Sequence, residues 1–373
     1  MPYKRLKVYD RSRSTTDWQC PRKRYLQYEL YGRGVVPEDT AIELYLGTTI
    51  HDALSGIARG LDINLIADTA RTQVKEALVG AGTEDEVNYA SEQAALVEGI
   101  TRGFHLHVWP QLIEKYPRIL AIEQEMTYDH DGFTFMAKPD LVLASEDESD
   151  IIYVVYKSTS SKKDSWVNSW GYAVQLHSTI RAIEQTLRKK VTGVIVQGLY
   201  KGFESYGKQS SPFCYLYFRA ANPPFVKEEV AYEFKAGLKR YPTWERSGGV
   251  KEWVENMPAH VLADQFPRTP VIFIKDDLID SFFRQRIARE MEIDLALQML
   301  EQHKDDEDTC KDILDTAFEQ KFDQCAPYFG KPCTYRNICF GHVTDPLNQG
   351  YSLRESHHQM ELEHHEKIDG KDI

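Results

Sequence analysis

The segment "FTFMAKPDLVLASEDESDIIYVVYKSTSS" (133–161) contains two runs of strand-forming residues separated by a polar turn. The runs 133–145 and 150–161 are rich in Val, Ile, Tyr and Phe, which favour β-strands. A third such run, 118–130, precedes them, and "DHDG" (129–132) is typical of a hairpin turn. The sequence therefore predicts three consecutive strands, of which the first two form a hairpin.

Apolar residues at helical spacing predict helices on both sides of these strands. The helices before them are predicted at 15–31, 40–58, 64–78 and 88–115. After them we predict a helix at 166–188, strands at 192–202 and 213–220, and helical stretches at 228–257 and 276–320. This order indicates an α/β fold, with a mixed central sheet flanked by helices.

We expect residues 1–345 to form a single domain, because no stretch within them has the composition of a linker. Its parts are a helical N-terminal part (1–115), a core (about 115–220) and a helical, cysteine-rich C-terminal part (225–345). The remaining residues, 346–373, are polar and rich in His and Glu, which predicts a flexible tail.

The charge of the chain is acidic overall but unevenly distributed. The 373 residues carry a formal net charge of −12, which argues against a general nucleic-acid binder. The first 30 residues are nevertheless basic, so a local basic groove is compatible with the sequence. No apolar run approaches the roughly 20 residues that a membrane span needs. We therefore expect a soluble, cytoplasmic protein that does not bind membranes.

Four polar residues near the predicted strands are candidates for metal-assisted chemistry. Asp140 offers a hard oxygen ligand for Mg²⁺ or Mn²⁺, and Lys157 on the next strand offers a point charge for a phosphate or a water. His51 offers an imidazole, and the amide of Gln175 follows on the next helix. Each pattern alone is more typical of a structural role, since a Pro-Asp pair usually marks a turn and a lone lysine usually faces solvent.

Four cysteines lie at the two ends of the chain. Cys20 is near the start, while Cys325, Cys333 and Cys339 form a C-x7-C-x5-C pattern near the end. Six cysteines in 373 residues are too few for a disulfide-dense secreted protein. The spacing leaves three interpretations open: four thiolates that hold an iron–sulfur cluster, a structural zinc site, or unconnected core cysteines.

Taken together, these motifs resemble the RecB-like branch of the PD-(D/E)XK nucleases. The likeness is greatest to its iron–sulfur members, which include CRISPR-associated exonucleases and their phage relatives. Six segments match in family order: "STTDWQCPRKRYLQYE" (14–29), "LGTTIHDAL" (46–54), "AKPDLVL" (137–143), "VYKSTSS" (155–161), "YAVQLHSTI" (172–180) and "CAPYFGKPCTYRNIC" (325–339). The resemblance implies a restriction-endonuclease-like core whose helical N- and C-terminal parts are joined by an iron–sulfur cluster.

The resemblance also implies roles for individual residues. His51 and Asp140 correspond to metal ligands, Lys157 to the catalytic lysine and Gln175 to the glutamine of the following helix. The four cysteines at positions 20, 325, 333 and 339 correspond to the ligands of a [4Fe–4S] cluster, with zinc as the second choice.

One position departs from the family pattern. The motif has an acidic residue two positions before the lysine, where this chain has Val155. Residues 155 and 157 of a strand face the same side, so an isopropyl group points to where a carboxylate is expected. Three explanations are open. Glu123 or Glu125 on the adjoining run supplies the acid, the protein has lost activity, or the acid has been replaced artificially in this sequence. The candidate metal ligands are therefore His51, Asp140 and Glu123.

The resemblance implies a metal-dependent deoxyribonuclease, an exonuclease acting on DNA that is single-stranded or has free ends. The expected setting is recombination, repair or phage DNA processing in the cytoplasm of a bacterium or a phage-infected host, with a protein partner in a recombination or phage replication complex. The alternative is an inactive relative that binds DNA or protein. Cationic and aromatic side chains are the candidate DNA contacts. They are Lys162, Lys163, Trp166, Trp170, Arg22, Lys23 and Arg24.

Overall fold

The computed structural model of the chain describes residues 8–38, 42–78, 83–159, 163–170, 173–200, 204–206, 209–211, 249–255, 265–326, 332–343, 345–355, 358 and 361–362. The predicted strand 213–220 and residues 228–248 of a predicted helix lie outside this part of the chain. No helix in the described ranges is both long and apolar enough to cross a membrane.

A four-stranded mixed sheet forms the centre of the molecule. Its strands are β3 (Arg118–Ile122), β6 (Leu141–Ala144), β7 (Ile151–Thr159) and β8 (Gly193–Tyr200), in the order β3-β6-β7-β8. The β3–β6 and β6–β7 pairs are antiparallel, whereas β7 and β8 are parallel. The predicted mixed sheet is therefore confirmed.

A smaller sheet lies beside the central one. It consists of β1 (Val8–Asp10), β5 (Phe133–Ala137) and β4 (Met126–His130), in the order β1-β5-β4. Strands β4 and β5 are antiparallel and are joined at Asp131 and Gly132, which both have positive φ angles. The predicted hairpin turn is therefore confirmed. Two further pairs are β2 (Val35–Pro37) with β11 (Tyr351–Leu353), and β9 (Glu204–Tyr206) with β10 (Gln209–Ser211).

The runs predicted as single strands at 118–130 and 133–145 are each divided between the two sheets. The first is interrupted at Glu123, whose φ of 47° is left-handed and incompatible with a strand. The second is interrupted at Lys138 and Pro139, and proline has no N–H for a sheet hydrogen bond. The β4–β5 hairpin therefore leaves the central sheet after β3 and returns to it at β6.

Helices cover both faces of the central sheet. Those before it are α1 (Arg11–Gln19), α2 (Pro21–Tyr28), α3 (Ile42–Ala58), α4 (Ile63–Leu78), α5 (Glu84–Gly103) and α6 (Trp109–Lys115), with a π-helical turn at Phe104–Val108. Those after β7 are α7 (Lys163–Asn168), α8 (Val174–Leu187), α9 (Gly249–Glu255), α10 (Asp276–Gln302), α11 (Glu307–Ala317), α12 (Phe322–Cys325) and α13 (Arg336–Cys339). The helix predicted at 15–31 is broken at Cys20, because Pro21 begins a new helix there.

The core has two apolar layers, one on each face of the central sheet. Alternate residues of β7 point into different layers, with Val154 among the side chains of α3 to α5 and Val155 among those of α8 and α10. A strand covered on both faces is apolar along its length, which explains the unbroken "IIYVVY" pattern (151–156).

The two ends of the chain pack against each other. Asp17 on α1 pairs with Arg286 at 3.2 Å and with Arg289 at 3.1 Å, both on α10. The sequence predicts a flexible tail from residue 346, whereas in the structure β11 pairs with β2 and buries Tyr351. Backbone pairing and an aromatic side chain thus attach the beginning of this segment to the N-terminal part.

Candidate metal centre and active site

Helix α3 and the base of the β4–β5 hairpin bring together three residues with metal-ligating atoms. His51 Nδ1 lies 3.1 Å from Asp140 Oδ1 and 3.9 Å from Glu123 Oε1. One ligand atom of each residue lies within 4.8 Å of the others, so a single cation fits among them. Two carboxylates and an imidazole are a donor set suited to Mg²⁺ or Mn²⁺.

The fold explains why the two carboxylates meet. Ile122, the last residue of β3, pairs with Leu141, the first residue of β6. Glu123 and Asp140 are the next residues outward, and the Glu123 N–H donates to the Asp140 carbonyl oxygen at 3.2 Å. This hydrogen bond closes the base of the hairpin, so both side chains begin at the same edge of the central sheet.

Hydrogen bonds keep the Asp140 carboxylate ionised. The Tyr156 N–H donates to Asp140 Oδ2 at 2.7 Å, which leaves Oδ1 facing His51. Burial alone raises the pKa of Asp140, but the His51 hydrogen bond, the charges of His51 and Lys157 and the Tyr156 N–H outweigh it and lower the pKa. Asp140 is therefore a permanent anion at neutral pH.

His51 is held as a cation by these carboxylates. Burial lowers its pKa, but the hydrogen bonds to Asp140 and Glu123 and the charge of Asp140 outweigh this and raise the pKa to about 9. The His51 imidazolium therefore supplies the positive charge beside the carboxylates of Asp140 and Glu123. His51 has to release a proton before its Nδ1 can coordinate a metal ion.

Lys157 lies on β7 close to the same group. Its pKa is lowered to about 8, mainly by burial and also by the charge of Arg11, while the charges of Asp140 and Glu123 act in the opposite direction. A half-buried ammonium beside two carboxylates can stabilise negative charge that develops on a phosphate.

Gln175 is held by a residue that sequence reasoning missed. Arg11, the first residue of α1, donates from Nη1 to the Gln175 side-chain oxygen. Gln175 lies in the first turn of α8, and its amide also interacts with the Tyr153 hydroxyl. Arg11 belongs to the basic N-terminal run, and nothing in its local sequence distinguishes it from the other cations there.

A second missed contact involves Lys138, whose Nζ lies 3.2 Å from Glu123 Oε2. It holds the second oxygen of Glu123 while the first faces His51. Its position immediately before the Pro-Asp pair is the only sequence signal that could have found it.

Val155 is fully buried beside Leu176 of α8 and Val196 of β8. Strands β6 and β7 pair through Leu141 and Val154, so Asp140 and Val155 are the next residues outward and lie side by side. Glu123 flanks Asp140 on the opposite side. The group thus has two carboxylates, and the second comes from the end of β3 rather than from β7. Glu125, the other candidate acid, is instead paired with His358 at 2.6 Å.

The two ends of the chain bring the four cysteines into one region. The Cys333 N–H donates to the Cys325 carbonyl oxygen at 3.0 Å, and Gln320 Nε2 donates to Cys339 Sγ at 3.1 Å. Burial raises the pKa of Cys325, and the neighbouring Cys333 and Cys20 raise it further. Among the described residues, however, the cysteine sulfurs form no group of three close enough to hold one metal ion.

The candidate DNA contacts include two side chains that are buried. Arg24 is fully buried and pairs with Glu29 and Glu290, so it is not available to DNA. Trp166 is 6% exposed and packs in the core, because Trp170 and the β8 strand cover it.

The remaining candidates differ in what their side chains contact. Arg22 donates to the Phe318 carbonyl oxygen and to Asp315, whereas Lys23 and Trp170 are half-exposed. Lys163 begins α7, and Lys162 lies outside the described residues.

Comparison with known families identifies a superfamily. A sequence model of the PD-(D/E)XK nuclease superfamily matches residues 12–340, which is most of the chain and includes the metal group and Lys157. A search of curated proteins finds no match.

Replacing Asp140 by its neutral isostere tests the metal centre. We expect Asp140→Asn to weaken Mn²⁺ binding by at least about tenfold, because a direct ligand matters no less than the outer partners whose loss costs about 10–100-fold. Isothermal titration with Mn²⁺ measures the affinity. The matched control is Glu146→Gln, an exposed carboxylate on the β6–β7 loop, which leaves the affinity unchanged. Equal affinities for Asp140→Asn and the parent would refute the site.

Proposed function

The chain belongs to the PD-(D/E)XK nuclease superfamily, and we propose that it is a metal-dependent DNA exonuclease of recombination, repair or phage DNA processing. The observation that supports this most strongly is the group of His51, Glu123 and Asp140, whose ligand atoms lie within 4.8 Å of one another. Lys157 lies on the neighbouring strand β7, so a cation site and a positively charged side chain border the same space.

Each residue of the group has a defined task in phosphodiester hydrolysis. A divalent cation bound here would polarise a phosphoryl oxygen and lower the pKa of the attacking water. Asp140, Glu123 and His51 supply the ligands. Lys157 stabilises the charge that develops on the phosphate. Gln175, oriented by Arg11, positions the water or the DNA strand through its amide.

Glu123 replaces the acid that is missing at position 155. It reaches the space beside Asp140 from β3, and Lys138 holds its second oxygen. The affinity of a hard cation depends mainly on the charge of its ligands, so moving a carboxylate from one strand to the neighbouring one conserves the total charge. This favours an active enzyme over a decayed one.

The alternative is a catalytically inactive protein that binds DNA or another protein. The burial of Val155 favours it, because an apolar side chain fills the position where the family motif has an acid. The two functions predict different effects of replacing Glu123, because only the active enzyme needs this carboxylate for DNA cleavage.

We also propose that Cys20, Cys325, Cys333 and Cys339 hold a [4Fe–4S] cluster, with zinc as the second candidate. The support is the family resemblance and the proximity of the two cysteine-bearing ends, where the Arg22 N–H donates to the Glu319 carbonyl oxygen at 3.2 Å. A cluster there would link the N- and C-terminal parts and so restrict the unfolded chain, because closure of a long loop removes much of its entropy.

The DNA substrate would approach through the less buried cationic and aromatic residues. Lys23 and Trp170 are half-exposed in the described structure, and Lys163 begins the helix that follows β7. We propose these, with Lys162, as contacts for a single strand or a free DNA end.

Cleavage of end-labelled single- and double-stranded DNA with Mg²⁺ or Mn²⁺ tests the proposed activity. We expect the parent to degrade DNA and Asp140→Ala to be inactive, because the cation loses a ligand. Glu123→Gln should reduce the rate by at least about tenfold. Absence of cleavage by the parent, together with cleavage by Val155→Glu, would refute the active enzyme and support the inactive alternative.

The proposed cluster is tested on anaerobically purified protein. A [4Fe–4S] cluster gives a brown protein with iron, sulfide and broad visible absorbance, and Cys333→Ser should lose that absorbance. The matched control is Cys310→Ser, because the Cys310 thiol contacts the His303 carbonyl oxygen and lies outside the proposed set. A colourless protein that contains zinc would contradict the cluster.

A further inference from the structure

Residues that follow the family-matched range contact side chains next to the proposed active site, at Asp10 and Glu125. The match ends at residue 340, whereas β11 at 351–353 pairs with β2, and Arg354, His358 and Glu361 are all buried. We refer to the described residues 351–355, 358 and 361–362 as the C-terminal strap. Buried charged residues in a segment expected to be mobile call for a structural reason.

His358 of the strap lies between two carboxylates. Its Nδ1 is 2.6 Å from Glu125 Oε1, and its Nε2 is 3.2 Å from Asp10 Oδ2. Both ring nitrogens donate only when the imidazole is a cation. Burial lowers the pKa of His358, but the hydrogen bonds to Asp10 and Glu125 and the nearby negative charges outweigh it and raise the pKa. His358 therefore links the residue before β4 to the last residue of β1 through a charged bridge.

The two carboxylates belong to the elements that carry the active-site residues. Glu125 precedes β4 and lies two residues after Glu123. Asp10 ends β1 and caps α1 by accepting from the Arg13 N–H at 2.7 Å. The next residue, Arg11, holds Gln175. The bridge through His358 thus connects both sides of the proposed site.

The strap has its own anchors, which hold His358 in place. The Arg354 N–H donates to the Gly34 carbonyl oxygen at 2.9 Å. Glu361 forms a buried ion pair with Arg13, and its second oxygen lies 3.6 Å from Arg354 Nη2. These contacts fix the strap to α1 and to the α2–β2 connection independently of the hairpin.

The chain at Glu123 needs such support. Glu123 is a non-glycine residue at a φ of 47°, a left-handed conformation that persists only where the surroundings restrain it. The hydrogen bond to Asp140 restrains Glu123 on one side, and the Glu125–His358 contact restrains the chain two residues later.

We propose that His358 is a positioning residue of the metal centre. His358 binds Glu125 through one ring nitrogen and Asp10 through the other. It thereby fixes the connection between β3 and β4 in the conformation that directs the Glu123 carboxylate toward Asp140 and His51. This inference rests on the proposed function, because it assigns His358 to the metal group described there. In this role the strap supports a site whose second carboxylate comes from the end of β3.

Mn²⁺ titration of the full chain tests this role. We expect His358→Gln to weaken Mn²⁺ binding by about tenfold, since the loss of an outer partner of a metal ligand costs about 10–100-fold. The matched control is Tyr351→Phe, which removes a strap hydrogen bond to the Thr334 carbonyl oxygen but contacts neither Glu125 nor Asp10. The control should retain the parental Mn²⁺ affinity within about twofold. That change is much smaller than the loss of about 10–100-fold expected when an outer partner of a metal ligand is removed.

A double-mutant cycle separates positioning from general stability. Glu125→Gln combined with His358→Gln should weaken Mn²⁺ binding no more than the stronger single variant does, because both break the same contact. Parental Mn²⁺ affinity in His358→Gln, with only a lower unfolding temperature, would overturn the positioning role. If Asp140→Asn binds Mn²⁺ as tightly as the parent does, the proposed metal centre itself fails, and the role of His358 fails with it.

Discussion

The hydrogen bond between the Glu123 N–H and the Asp140 carbonyl oxygen is the contact on which the proposed site depends. It closes the base of the β4–β5 hairpin where the chain leaves and re-enters the central sheet. It extends the β3–β6 pairing by one residue, so both carboxylates begin at the same edge of the sheet. His51 then reaches them from α3, at 3.1 Å from Asp140. This backbone hydrogen bond thus helps to bring together His51, Glu123 and Asp140, which come from three separate parts of the chain.

Charge balance makes this arrangement stable before any cation binds. The negative charges of Glu123 and Asp140 are offset by the His51 imidazolium, Lys157 and Lys138, so no carboxylate is left buried without a partner. A bound divalent cation would replace the proton on His51 and strengthen the same attraction. In the proposed site the second carboxylate comes from the end of β3, so the negative charge is conserved without an acid at position 155.

The sequence predicted the strands, the hairpin turn and the proximity of His51 to Asp140, because these depend on local patterns and motif order. Glu123 was the predicted third ligand, although nothing in the sequence separates it from Glu125 on the same predicted strand. In the structure the left-handed φ at Glu123 ends β3, and Glu125 contacts His358. The roles of Arg11 and His358 depend on contacts between residues more than 150 positions apart, for which a single sequence has no signal. Arg24 and Trp166 were predicted as DNA contacts from their residue types, but both side chains are buried in the structure.

We propose that the second acid of this nuclease-family site is Glu123. Anomalous difference density from crystals soaked in Mn²⁺ would locate the cation directly. We expect one peak in contact with the side chains of His51, Asp140 and Glu123. A peak held by Asp140 but remote from Glu123, or no peak at this edge of the sheet, would contradict it.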